Sequence, residues 1–131
     1  MSKKGFTLIE LVMVIIILGL LAAVAVPQFF DLSNQANTAA EQGVVGGIRS
    51  GITTYFAQNR AFPATLDGVA VSTPCDTTTP CFGTVLGQGG ISSGGWSKLA
   101  TTVTYQHVGS NTSTYTYAPG TGAFTCTATC P

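Results

Sequence analysis

The chain has 131 residues, enough for one domain with little to spare. Apolar residues make up 45% and charged ones 8%, which excludes intrinsic disorder for most of the chain. Five basic and five acidic side chains cancel, so no basic field awaits a phosphate backbone and no acidic field awaits a cation.

The first predicted element is an apolar helix. Lys3 and Lys4 precede Phe6-Thr-Leu-Ile-Glu10, and residues 11–26 are then all apolar or glycine. Residues 6–26 number twenty-one, a helix of about 30 Å, which is the thickness of a bilayer core. The two lysines mark its cytoplasmic end. A secretory signal would show a shorter apolar stretch followed by a small-residue cleavage site. Ala-Val-Ala-Val imitates such a site, but the run is long for that and a carboxylate stands near its start. At membrane depth Glu10 costs roughly 2.5–3.5 kcal/mol, unless it lies near the headgroups, and it marks a functional site.

Lys-Gly5-Phe6-Thr-Leu-Ile-Glu10-Leu, followed by an apolar helix with Gly19 and Pro27, resembles the prepilin signature of type IV pilins and type II secretion pseudopilins. The resemblance implies a leader, residues 1–5, cut between Gly5 and Phe6 by a prepilin peptidase/methyltransferase that also N-methylates Phe6. Residues 6–27 would be a hydrophobic transmembrane helix that later forms the filament core, with Phe6, Glu10, Gly19 and Pro27 serving subunit assembly. Glu10 would pair with the Phe6 amine of a neighbouring subunit. Physical chemistry agrees, since an α-amine with a pKa near 8 is charged at neutral pH. A buried carboxylate also needs a partner, and no basic side chain lies between Glu10 and Arg49. Cleavage leaves Arg49, Arg60 and Lys98 against five acids, a side-chain charge of −2.

The implied fold is the α+β type IV pilin fold, in which the second half of a long N-terminal helix packs on a small antiparallel sheet of three to four strands. The implied product is a helical homopolymer: a pilus on the bacterial surface, for adhesion, motility or related functions. The precursor would be a single-pass inner-membrane protein held in lipid, met by the inner-membrane pilus assembly machinery and an outer-membrane secretin. The rival reading is a major pseudopilin of a type II secretion system. Major pseudopilins tend to carry a C-terminal calcium site, and only Asp67 and Asp76 lie beyond the helix here. A membrane-anchored module that never polymerises is a third class, which has no evident use for Glu10. A conducting filament draws no support from twelve aromatics in 131 residues.

Between Gly19 and Pro27 the helix is weakest, because Pro27 removes a hydrogen bond to Ala23 and glycine lowers propensity. Relatives melt here on assembly, although a plain proline kink explains the pattern equally. Residues 28–131 form the expected periplasmic or extracellular domain. In it Phe29, Leu32, Ala36, Ala40, Val44, Ile48, Ile52 and Tyr55 recur at helical spacing. Pro63 predicts a helix end near Asn59. The fifty-four residues from 6 to 59 then make a helix of about 80 Å, whose first half lipid or other subunits must cover. Gly43, Gly47 and Gly51 read as a ridge for close backbone packing, or as weak points in the helix.

Residues 60–100 read as an irregular loop, with turns at Asp67-Gly68 and five glycines in 87–95. A β-meander over 101–131 follows, with strands at 101–108, 113–118 and 123–127 and a fourth possible at 82–86. Val103, Tyr105 and His107 share one face, as do Tyr115 and Tyr117. In an oxidising compartment Cys75, Cys81, Cys126 and Cys130 predict two disulfides. Their spacing fits zinc knuckles poorly, and three pairings are open, with 75–81 and 126–130 favoured. Related pilins usually join distant cysteines across a C-terminal loop. One histidine and scattered acids at 10, 31, 41, 67 and 76 make no convergent catalytic set. No enzyme activity, cofactor, metal or specific nucleic-acid partner is expected.

Overall fold

In the computed structural model the described residues are 5–131. Lys3, Lys4 and the leader residues before Gly5 lie outside them. Helix α1 (Leu8–Asn59) is followed by strands β1 (Thr73–Pro74), β2 (Trp96–Lys98), β3 (Thr104–Val108), β4 (Thr112–Ala118) and β5 (Ala123–Ala128). The five strands form one antiparallel sheet in the order β1-β2-β3-β4-β5. The architecture is α+β, as expected, with more strands than the three to four predicted.

The chain divides into two units, the first ending at Gln35 and the second being Ala36–Pro131. In the first, helical residues 8–35 are almost wholly exposed, and residues 11–26 among them are all apolar or glycine. This helix is the one among the described residues long and apolar enough to cross a membrane. Helical structure runs unbroken through Gly19 and Pro27, so the loosening suspected there is not seen in the single chain. The second unit holds the core. Its stretch of α1 buries Glu41, Val45, Ile48 and Ile52. That stripe is offset from the predicted one, since Val45 replaces Val44 at the centre and an acid occupies one end.

The sheet supplies the other half of the core. Buried and exposed residues alternate along β4, so Ser113, Tyr115 and Tyr117 face inward, as the pleat requires. Tyr105 and His107 do the same on β3. Phe82 sits at the centre, its ring 4.4 Å from Tyr105, 5.5 Å from Trp96 and 5.9 Å from Phe124. Tyr115 stacks on Phe124. Such edge and offset contacts add about 0.5–1.5 kcal/mol each beyond burial.

The expected fourth strand at 82–86 does not form. Phe82 has a left-handed φ of 63°, and its carbonyl accepts the N–H groups of Val85 and Leu86 at 3.2 and 3.0 Å. A residue in that region turns the chain and ends any extended run. The loop predicted over 60–100 contains β1 and β2 instead. They have two and three residues, too short for an alternating pattern to show.

Candidate assembly site

Phe6 stands just before α1, 83% exposed. Thr7 and Glu10 close the helix start. The Thr7 N–H donates to Glu10 Oε2 at 2.9 Å, and the Thr7 hydroxyl donates to the same oxygen at 2.7 Å. The Glu10 N–H reaches the Thr7 hydroxyl oxygen at 3.4 Å. This is a capping box, in which residues three apart satisfy each other's orphan N–H groups. The Thr-x-x-Glu spacing signals it in the sequence, and the sequence reading passed over it. Glu10 therefore has a local structural role, and a plain membrane anchor would have a use for it too. Both bonds fall on Oε2, which leaves Oε1 without a partner among the described residues.

Gly19 has nothing within 4 Å of its would-be Cβ, and the same holds for Gly43. The three glycines of the expected ridge differ from one another. At Gly51 a Cβ would run into the Val85 carbonyl group, with the carbonyl carbon at 2.8 Å. At Gly47 it would meet only the Leu86 side chain at 3.7 Å, an ordinary contact. Of these three glycines only Gly51 is packed closely against backbone, at Val85 in the turn over 82–86.

The cysteines form two local disulfides, Cys75–Cys81 and Cys126–Cys130. The first is buried in the core, while Cys126 is half-buried and Cys130 exposed. Neither spans a long loop, so the chain departs from the distant pairing usual in related pilins.

Two buried polar clusters were not anticipated. Glu41 Oε1 accepts the Tyr115 hydroxyl at 2.9 Å. Its Oε2 lies 3.2 Å from His107 Nδ1, near enough to pair with a protonated ring but out of line for a hydrogen bond. Burial, and then the bond to Glu41, push the Tyr115 hydroxyl up to about 12. In the second cluster Lys98 Nζ lies 2.5 Å from Asp67 Oδ1 and 2.9 Å from the Val69 carbonyl. Asp67 also accepts the Val69 N–H at 3.2 Å and the Phe82 N–H at 3.3 Å. The Tyr105 hydroxyl is buried without a hydrogen-bond partner. Burial chiefly, and next the Asp67 charge, raise its pKa well above the usual phenol value. Both clusters tie the helix or loop to the sheet. Sequence periodicity cannot find them, because the partners meet only after folding.

The prokaryotic N-terminal methylation motif matches residues 1–26. The type IV narrow pilus major component PilA5 of Thermus thermophilus is 46% identical over 63 residues, covering 48% of this chain and 54% of the relative. The type II secretion system core protein G of Pseudomonas aeruginosa is 36% identical over 79 residues, covering 60% and 56%. A fimbrial protein of Neisseria meningitidis is 42% identical over 73 residues, covering 54% and 43%. The chain thus spans about half the length of the curated relatives it matches. No solved structure matches it significantly. The chain thus carries the N-terminal methylation motif in residues 1–26 and, over about half its length, is similar to proteins named as type IV pilus components and to a type II secretion core protein.

Proposed function

We propose that the chain is a structural subunit that polymerises into a type IV pilus after leader removal between Gly5 and Phe6. The observation that carries this reading is the exposed helix of residues 8–35, apolar throughout 11–26, with a carboxylate at its start whose Oε1 has no partner among the described residues. Lipid satisfies such a surface in the precursor, and neighbouring helices satisfy it in a filament. The Glu10 carboxylate would then accept the N-methylated Phe6 amine of the next copy. No catalytic role is assigned to any residue.

A pseudopilin role is the second reading, favoured by the similarity to the secretion core protein over 60% of this chain. Against it, Asp67 is engaged by Lys98, and Asp76 is folded onto Thr78 and Thr79. Neither carboxylate stands ready for the calcium site that reading implies.

Substitution at Glu10 tests the charge pair. Glu10→Gln keeps the capping geometry, since glutamine serves the same box, but removes the charge. Filaments sheared from the surface should be lost in Glu10→Gln as in Glu10→Ala. Full filament yield from Glu10→Gln would leave the carboxylate as a helix cap and nothing more. Mass spectrometry of the same filaments should find a chain beginning at methylated Phe6.

A further inference from the structure

Few charges in the described residues lack a partner. Asp67 is paired with Lys98, and Glu41 with Tyr115 and His107. Asp76 accepts from Thr78 and Thr79, and Glu10 from Thr7. Asp31, Arg49 and Arg60 are exposed and have neither an ion pair nor a hydrogen bond to another side chain among the described residues.

Asp31 stands in an apolar setting. Phe29, Phe30 and Leu32 around it are 72%, 69% and 63% exposed. Phe30 and Leu32 lie about 100° to either side of Asp31 around the helix, so a polymer that packs copies all round this helix takes the Asp31 carboxylate out of water. An unpaired buried carboxylate is strongly unfavourable, so the covering surface must bring a cation. In a homopolymer that surface belongs to another copy.

We infer that Asp31 of one copy pairs with Arg49 of a neighbouring copy, a second intersubunit ion pair in the polymer; this rests on the pilus reading above. Arg49 suits the role better than Arg60. Its Nε donates to the Phe124 carbonyl at 3.0 Å, which fixes the guanidinium while its other donors stay free for a carboxylate. Beside it on the exposed side of α1, Gly46 has nothing within 4 Å of a would-be Cβ, which leaves room for a neighbour's Phe29 or Phe30. Arg60 follows the helix end at a φ of 58° and has no such anchor. The two patches are different surfaces of one chain with opposite charge. Such a contact is head-to-tail, and head-to-tail contacts propagate into filaments instead of closing a dimer.

Charge reversal in the full-length chain decides it, with sheared filament yield and subunit level in the membrane fraction as readouts. Asp31→Lys and Arg49→Glu should each lower filament yield about tenfold or more, as like charges meet, at normal subunit level. The double swap should restore most of the yield. Co-expression of the two single variants should also restore it, because each copy then supplies what the other lacks. A lipid phosphate on Arg49 would allow no such mutual rescue. Asp31→Lys leaves the bond to Phe124 untouched, so wild-type yield from that variant overturns the inference however Arg49→Glu folds. Failure of both the swap and the co-expression to rescue also overturns it. An unaltered chain that makes no filament overturns the pilus reading itself.

Discussion

Lys98 and Asp67 form a pair whose two side chains are almost fully buried, at 2% and 1% exposure. Such a pair adds little net stability, but removing one partner strands the other charge in a dry core. Lys98→Met should therefore destabilise the folded domain by about 3–5 kcal/mol. Adding Asp67→Leu should recover most of that loss, and urea titration of the two variants measures both numbers. Gly51 gives a second contrast. Gly51→Ala places a methyl against the Val85 carbonyl and should cost about 1–3 kcal/mol. Gly47→Ala has an ordinary contact ahead of it and should gain up to about 1 kcal/mol of helix propensity. Equal melting temperatures for the two variants would contradict the geometry. Asp76 reports on pH. Hydrogen bonds from the Thr78 hydroxyl, then from the backbone N–H groups of Thr79 and Thr78, hold its carboxyl down at about 2, against 3.8 without them. A lowered folded pKa means the contribution is complete above about 3.8 and fades as the pH falls through about 2. Asp76→Asn should therefore flatten the acid side of the stability curve and leave the neutral side parallel to that of the unaltered chain.

The two disulfides differ in what surrounds them. Cys75 and Cys81 are 6% and 0% exposed and belong to the core beside Phe82. Cys126 and Cys130 close a five-residue ring at the end of β5, at the open edge of the sheet. Mild thiol reduction should open Cys126–Cys130 first, seen by mass spectrometry of alkylated peptides. Replacing Cys75 and Cys81 by alanine should cost about 2–4 kcal/mol, and the outer pair should fall at or below the lower end of that range. Strands β3, β4 and β5 were legible because aromatic residues alternate with threonine across them. Strand β1 contains Pro74 and the three-residue β2 follows Gly94 and Gly95, so neither carries a signal that local propensity can read; β2 is held by pairing with β3, and β1 by pairing with β2. Glu41 sits on the periodic stripe with Val45, Ile48 and Ile52, yet an acid at such a position reads as a solvated edge. Tyr115 and His107, which take it into the core, lie more than sixty residues along the chain. At the N-terminus the Thr7-x-x-Glu10 spacing makes the capping box legible in the residues, alongside the assembly role that the resemblance implies for Glu10. One role for a residue does not exclude another.

At the scale of the whole chain, structure and exposure divide sharply. The buried hydrophobic residues run from Val45 to Phe124, and all of them belong to the unit Ala36–Pro131. The large apolar side chains from Phe6 to Leu32 are more than two-fifths exposed, with the half-buried Val12 as the exception. No residue of that core lies in the first unit, which instead carries a large exposed apolar surface. A contiguous exposed patch of that kind marks a membrane or protein interface, or else an aggregation hazard. A fragment of residues 36–131, produced in an oxidising compartment so that both disulfides close, should fold alone and elute as a monomer. The new helix end at Ala36 will fray by a turn, so a small loss of stability is expected, on the order of 1 kcal/mol. Full-length chain should require detergent or lipid, and should associate when detergent is withdrawn. If the fragment unfolds well below the melting temperature of detergent-held full-length chain, the first unit supports the domain as well as assembly. If instead the fragment is stable but associates in water, the second unit carries a self-association surface strong enough to act without the apolar helix. A stable monomeric fragment would place the main driving force for polymerisation in the exposed helix, with the Asp31–Arg49 pairing setting its register.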